Sequence, residues 1–272
     1  MDKESQLEQF RNYLVAQNMS ENTIRSYLYA IRQYFCLYTE LTLSNLQMHK
    51  LYLLEHYKPQ TVNLRIHALN SFLNYMEWPD SHILQVRVQQ KSFVEHVISA
   101  ADYEYLKTRL LNDGEYLYYF LIRFMAATGA RVSEVVQFTA EDVIKGCQDI
   151  YSKDNKIRRI YVPAALQKDV LLWLHQIPRL SGDIFLNPSG GRITPGGIRR
   201  KLKRLAARYC LDEKVVYPHS FRHRFAKNFI EHCSDITLLS NLMGHESIET
   251  TRIYLRRSSS EQQAIVNKVV DW

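Results

Sequence analysis

Side chains of four kinds that can attack a phosphodiester, arginine, lysine, histidine and tyrosine, are spaced in short motifs through this 272-residue chain. The richest stretch runs from Tyr217 to Tyr254. It opens Y-P-H-S-F-R-H-R-F-A and closes L-M-G-H-E-S-I-E-T-T-R-I-Y, and it carries His219, Arg222, His245 and Tyr254. The nonbridging oxygens of a reacting phosphate carry charge that must be stabilised. A guanidinium does this with two parallel hydrogen bonds and stays protonated. Arg222, three residues after His219 and on the same helical face, is one candidate. Arg131, in T-G-A-R-V-S-E, follows a glycine turn and is the other. A leaving sugar hydroxyl needs a proton, which a lysine flanked by cations can supply. Lys153 and Lys156, in S-K-D-N-K-I-R, compete for that role. A phenol with a pKa near 10 needs a base or cationic surroundings to react, so Tyr254 would draw on His219 or His245.

Each residue also has an ordinary use. Arginines form surface ion pairs, a lysine in a turn is commonly solvated, and any single one of the 18 tyrosines is more often a core residue than a nucleophile. Two other chemistries fit less well. H-S-F-R-H resembles a zinc helix, but Arg222 stands where an inverted zinc motif needs a glutamate, and a cation there repels the metal. A metal-dependent nuclease needs converging carboxylates, and no such acidic motif is recognisable. The reading is therefore metal-free and cofactor-free.

The elements that must position these residues follow from periodicity. Leu7, Phe10 and Leu14 mark a first helix over about 4–17. Ser20 caps a second, with Ile24, Tyr27, Leu28, Ile31, Tyr34 and Phe35 on its buried face. A third spans Ser44 to Tyr57, and Pro59 opens a fourth. Residues 1–80 thus form a four-helix domain. Periodicity fades over 81–98, which reads as a basic linker. A second domain covers 99–272. It has helices from Ala100 and Glu115, a hairpin at D-I-Y-S and R-R-I-Y-V-P, and a third strand at G-D-I-F-L. Thr194-Pro195 caps a basic helix, helices over 219–233 and 235–243 follow, and a short amphipathic helix closes the chain. The fold class is mainly α with a small β-sheet.

Composition sets outer limits. Hydrophobic residues make up 46% and charged residues 23%, as in a globular protein. The apolar runs are too short to span a bilayer, and the charged start lacks the apolar core of a signal peptide, so a cytoplasmic location without membrane attachment is expected. The four cysteines are far apart, which suits reduced thiols. Lys and Arg total 35 against 28 acids, net +7, which favours a polyanionic partner.

T-G-A-R-V-S-E, S-K-D-N-K-I-R, P-H-S-F-R-H-R-F-A and L-M-G-H-E-S-I-E-T-T-R-I-Y, in this order, resemble the tyrosine recombinase (phage integrase-like) family. S-E-N-T-I-R-S-Y and T-V-N-L-R-I-H-A-L-N-S-F-L-N-Y are similar to its core-binding helical domain, so the resemblance covers nearly the whole chain. It implies a C-shaped clamp on DNA, with Arg131 and Arg222 holding the scissile phosphate and Glu134 supporting the first arginine. It implies Lys153 as general acid, His219 and His245 as the two histidines, and Tyr254 as nucleophile. It implies a 3′-phosphotyrosine formed without metal or ATP, a Holliday junction, and a homotetramer on two DNA sites, with a paralogous recombinase as a further expected partner. S-K-D-N-K replaces the commoner G-K-G-x-K, which keeps Lys156 in play, and Arg224 stands where Thr is usual. With no extra domain expected ahead of the first bundle, the chain resembles the compact Xer type or a small mobile-element integrase.

Arg199, Arg200, Lys201, Lys203, Arg204 and Arg208 make one helix strongly basic, an expected phosphate-contacting face on double-stranded DNA, with a solvated charged face as the plain alternative. The C-terminal helix, with Ile265, Val266, Val269, Val270 and Trp272, is expected to dock on a neighbouring protomer or fold back on its own domain. The competing functions are DNA relaxation of the type IB topoisomerase kind and a DNA-binding accessory protein without catalysis.

Overall fold

The computed structural model describes residues 3–88, 96–151, 157–177, 181–245, 247–255 and 266–267. Two compact units divide the chain, Met1–Gln90 and Lys91–Trp272.

The first unit holds α1 (Lys3–Ala16), α2 (Glu21–Leu37), α3 (Leu43–His56) and α4 (Pro59–Tyr75). Hydroxyls set two of the starts: Ser20 Oγ accepts from Thr23 N and Thr42 Oγ1 from Asn45 N, satisfying amides that a helix start leaves unpaired. Proline at the first position of α4 lacks only an amide that would have had no partner. Val62, Ile66, Leu69 and Leu73 repeat at helical spacing and are buried together with Phe10, Leu14 and Ile31. Phe10 and Phe72 meet edge to face at 5.0 Å. The stretch after α4 runs along that helix. Asn63 brackets the backbone of Val86 with two bonds of 2.9 Å, and Asn70 brackets Ile83 at 2.9 and 3.0 Å. The expected linker thus starts tied to the first unit.

The second unit contains α5 (Ala100–Asn112), α6 (Tyr116–Thr128), α7 (Val132–Val135), α8 (Ala140–Lys145), β1 (Cys147–Tyr151), β2 (Ile157–Tyr161), α9 (Ala164–Gln176), α10 (Pro195–Arg208), α11 (Pro218–His232), α12 (Ile236–Met243) and α13 (Glu249–Arg252). The apolar α6 is the centre of the core and packs on α11. The strands pair antiparallel, Ile150 opposite Arg158 and Asp149 opposite Arg159. At the end of the 81–98 stretch the Ile98 amide donates to buried Ser220 Oγ at 2.8 Å.

Two details depart from the sequence expectation. G-D-I-F-L is not a strand: it makes isolated bridges, Thr139 to Asp183 and Leu186 to Arg192. The chain turns back at Asn187, whose side chain accepts from the Ser189 and Gly191 amides, so a ladder cannot extend. Ile184 and Phe185 are nevertheless fully buried. Helix α9 had no counterpart in the sequence reading. Leu166, Val170, Trp173 and Leu174 give it a buried stripe, and Trp173 stacks on Phe120 at 4.7 Å. The C-terminal helix falls outside the described residues apart from helical 266–267, and no helix among the described residues is long and apolar enough to cross a membrane.

Candidate active site

The site is built where three helix ends meet. Helix α6 stops at Gly129, which adopts φ +65°. A Cβ there would stand 2.3 Å from Phe225 Cδ1, so both backbone and packing require glycine. The turn delivers Arg131 to the cap of α7. Its amide donates to Glu134 Oε2 at 2.6 Å, and its Nη1 donates to Glu134 Oε1 at 2.9 Å. The remaining fork nitrogen, Nη2, donates to Gly244 O at 2.7 Å.

Arg222, on α11, is 4% exposed. Its Nη1 donates to Gly129 O and its Nη2 to Met243 O, both at 2.6 Å, so it bridges the C-terminal ends of α6 and α12. Those carbonyls lack helical partners, and the negative end of a helix dipole favours a cation. A third guanidinium reaches the same place from β2. Arg158 Nη1 donates to Met243 O at 2.6 Å, and Arg158 Nη2 pairs with Glu134 Oε2 at 3.0 Å. Three guanidiniums against the carboxylate of Glu134 leave this group with two net positive charges.

Gly244 ends α12 at φ +60°, and His245 follows. His245 Nδ1 hydrogen-bonds Thr251 Oγ1 at 2.8 Å. Burial, then Arg222, Arg131 and Arg158, push its pKa down to about 4, so the ring is neutral at pH 7. His219, open to solvent at the first turn of α11, is also lowered, by desolvation and then by Arg222, Arg199 and Arg131. Arg222 itself is lowered to about 10, by burial first and then by the other two arginines, and keeps its charge at neutral pH.

Tyr254 follows α13. Its hydroxyl is hydrogen-bonded to His223 Nδ1, 2.5 Å away, not to His219 or His245. Burial raises the phenol to about 12, against the pull of Arg222. Burial also holds His223 at about 4. Phenol and imidazole therefore meet as neutral partners.

The basic helix α10 exposes Arg199, Arg200, Lys203 and Arg204. Its Thr194 cap accepts from the Gly197 amide at 3.1 Å, and Ile198, Leu202 and Leu205 anchor the opposite face. Lys201 turns to Glu115 at 2.6 Å, Lys203 to Glu213 at 3.1 Å, and Arg208 to Asp113 at 2.9 Å. Arg199, Arg200 and Arg204 have no carboxylate partner among the described residues.

The Phage integrase family model matches residues 90–261. Tyrosine recombinase XerC of Herpetosiphon aurantiacus is 31% identical to this chain, over 94% of this chain and 92% of that one. The chain belongs to the phage integrase family. Solved structures agree on the fold. The integrase of transposon Tn1549, in complex with transposon right end DNA, superposes with a TM-score of 0.72 at 17% identity, covering 97% of this chain and 99% of that one. A lambda integrase tetramer bound to a Holliday junction gives a TM-score of 0.71 at 17% identity, covering 94% and 79%.

In this tyrosine recombinase, Arg131, Glu134, Arg222 and His245 gather around the end of α12, and His219 lies within the electrostatic reach of both arginines. Lys153 and Lys156 lie outside the described residues. Two site residues were missed in the sequence. His223 shares the stripe of Ala226 and Ile230, the buried face of α11, which marks it as inward-pointing. Arg158 has the strand parity of buried Ile160 and Val162, while its neighbour Arg159 turns outward to Asp149 at 2.7 Å.

Proposed function

We propose that this protein cleaves and rejoins duplex DNA at specific sites through a 3′-phosphotyrosine and a Holliday junction. The observation that carries the reading is the convergence on one helix end of Arg131, Arg222 and His245, with Arg222 near enough to the buried Tyr254 phenol to oppose part of the rise that burial causes. Arg131 and Arg222 take the nonbridging oxygens of the scissile phosphate. Arg131, 41% exposed, offers the accessible face of that clamp. Glu134 fixes its angle. Neutral His219 and His245 supply hydrogen bonds to the phosphate and to the transferring proton. The Tyr254 oxygen forms a bond to phosphorus as the phenol passes its proton to His223, its hydrogen-bond partner, the P–O5′ bond breaks, and Lys153 protonates the departing O5′. Lys156 is the competing donor. Rejoining runs the same steps backwards, and because the phosphotyrosine keeps the bond energy, neither metal nor nucleotide cofactor is required.

The substrate is a double-stranded recombination site. Arg199, Arg200, Lys203 and Arg204 track its phosphates, with Lys201 contributing once released from Glu115. The protein works as a homotetramer on two synapsed sites, a paralogous recombinase being one further partner. Chromosome dimer resolution and mobile-element integration or excision use this same chemistry. The test is covalent capture. The protein is incubated with a pool of nicked duplexes, denatured, and examined for a protein–DNA adduct beside Tyr254→Phe. An adduct that requires Tyr254, together with DNA binding that survives its loss, supports the reading. DNA binding without any adduct in the wild type, on nicked duplexes and on a Holliday junction, refutes it.

A further inference from the structure

Glu134 is the hub of the arginine cluster, and it is saturated. Oε1 accepts from Arg131 Nη1 at 2.9 Å and from Arg158 Nη1 at 3.3 Å. Oε2 accepts from the Arg131 amide at 2.6 Å and from Arg158 Nη2 at 3.0 Å. Two guanidiniums thus share one carboxylate, Arg131 from the side where 41% of it is open and Arg158 from a side where only 11% is. Arg158 also lies across the end of α12. It shares the Met243 carbonyl with Arg222, and a Cβ on Gly244 would come within 2.5 Å of Arg158 Nη1 and 2.6 Å of Arg158 Cδ.

We infer that Arg158 is a positioning residue for the phosphate clamp, locking Glu134 and the Met243 carbonyl so that Arg131 and Arg222 present their forks at a fixed spacing. The inference rests on the function proposed above. With Arg158 absent, Glu134 keeps Arg131 as its one cationic partner and can swing with it. Met243 O loses one of two donors, and the charge facing the phosphate drops. A lysine cannot substitute fully, because a single ammonium cannot reach both carboxylate oxygens and the carbonyl in a fixed fork. Arg159, the next residue, is the internal contrast. Its fork is engaged with Asp149 on the other face of the strand, at 2.7 and 3.0 Å.

The experiment uses the full chain and a nicked duplex carrying the sequence recovered by covalent capture. The scissile phosphate is either native or replaced by a neutral methylphosphonate, which removes the charge the clamp must hold. Loss of positioning should slow strand cleavage of the native phosphate by Arg158→Met about 100-fold. Its DNA affinity and the Arg159→Met rate should stay within about threefold of wild type, as for surface changes. On the methylphosphonate, the gap between wild type and Arg158→Met should shrink to about threefold, since there is less charge to stabilise. Arg158→Lys should fall between the two on the native phosphate, and it takes the place of the Met variant if that one does not fold. A well-folded Arg158 variant that cleaves native phosphate at the wild-type rate overturns the inference. So does an equal loss on both phosphates, which marks a purely structural role. A wild type that forms no Tyr254-dependent adduct on any DNA overturns the functional reading and this inference with it, whereas a normal wild type beside an unaffected variant overturns the inference alone.

Discussion

Gly244→Ala should damage this enzyme in two separable ways. The residue holds φ +60°, so an alanine must adopt the left-handed region at about 1–2 kcal/mol. Its methyl would also stand 2.5 Å from Arg158 Nη1, inside contact distance, so the guanidinium must leave the Met243 carbonyl or drag Glu134 with it. Overpacking of this kind adds about 1–3 kcal/mol, for a total of about 2–5 kcal/mol. Gly114→Ala isolates the backbone part, because φ is +69° there and the nearest side-chain atom is 3.9 Å away. It should cost about 1–2 kcal/mol. Denaturant unfolding of the full chains measures both. Combining Gly244→Ala with Arg158→Ala supplies a third value: once the side chain that the methyl strikes is gone, the alanine should cost no more than it does at 114. Cleavage should fall further in Gly244→Ala than its lost stability explains, since Arg131 bonds the Gly244 carbonyl itself. Equal costs at 244 and 114, or a cost at 244 that persists without Arg158, would refute the reasoning.

Acid stability follows from three histidines. His49, His223 and His245 titrate near 4 in the folded protein, each chiefly because burial disfavours its charged form. Unfolded histidines take protons from about 6.5, so between pH 6.5 and 4 the unfolded state binds more protons and stability falls on acidification. Melting followed across that window should show the drop, and His49→Leu, which also removes two buried nitrogens without hydrogen-bond partners, should flatten it. Replacing Arg199, Arg200 and Arg204 together by alanine should lower the slope of log K against log salt by about three, one per lost phosphate contact, as filter binding at several salt concentrations would show. His223→Phe should strip the Tyr254 hydroxyl of its hydrogen-bond partner, so adduct formation on a nicked duplex should slow while DNA binding holds, as denaturing gels and filter binding would show.

The gathering of Arg131, Arg222 and His245 was legible because each sits in a short motif whose local geometry is readable. H-S-F-R places His219 and Arg222 on one helical face, and G-A-R follows a helix end that only glycine closes well. The four helices of the first unit were legible from Ser20, Pro59 and the apolar stripes. What stayed hidden depends on contacts between distant segments. Strand parity with buried Ile160 and Val162 turns Arg158 inward, but its role comes from what that face meets: Glu134, 24 residues upstream, and Met243, 85 residues downstream. Likewise the partner of Tyr254 was sought among the two motif histidines, and His223 holds it because α11 turns its buried stripe toward the end of the chain. The third strand failed for a reason periodicity cannot register, since Ile184 and Phe185 are as buried as a strand would make them.

The backbone oxygens of Gly129, Met243 and Gly244 occupy the arginine forks of the free protein. They carry partial charge only, so the three guanidiniums still repel one another across the end of α12. An oxyanion entering that place supplies the missing charge to the folded form and finds no equivalent in the unfolded chain. Linkage then requires sulfate or phosphate to raise the melting point of the second unit more in the wild type than in Arg158→Met, a comparison that cancels the general stabilisation these anions give any fold. The composition of the buffer thereby becomes a gauge of how strongly the arginine cluster draws an oxyanion, readable before any DNA site is known.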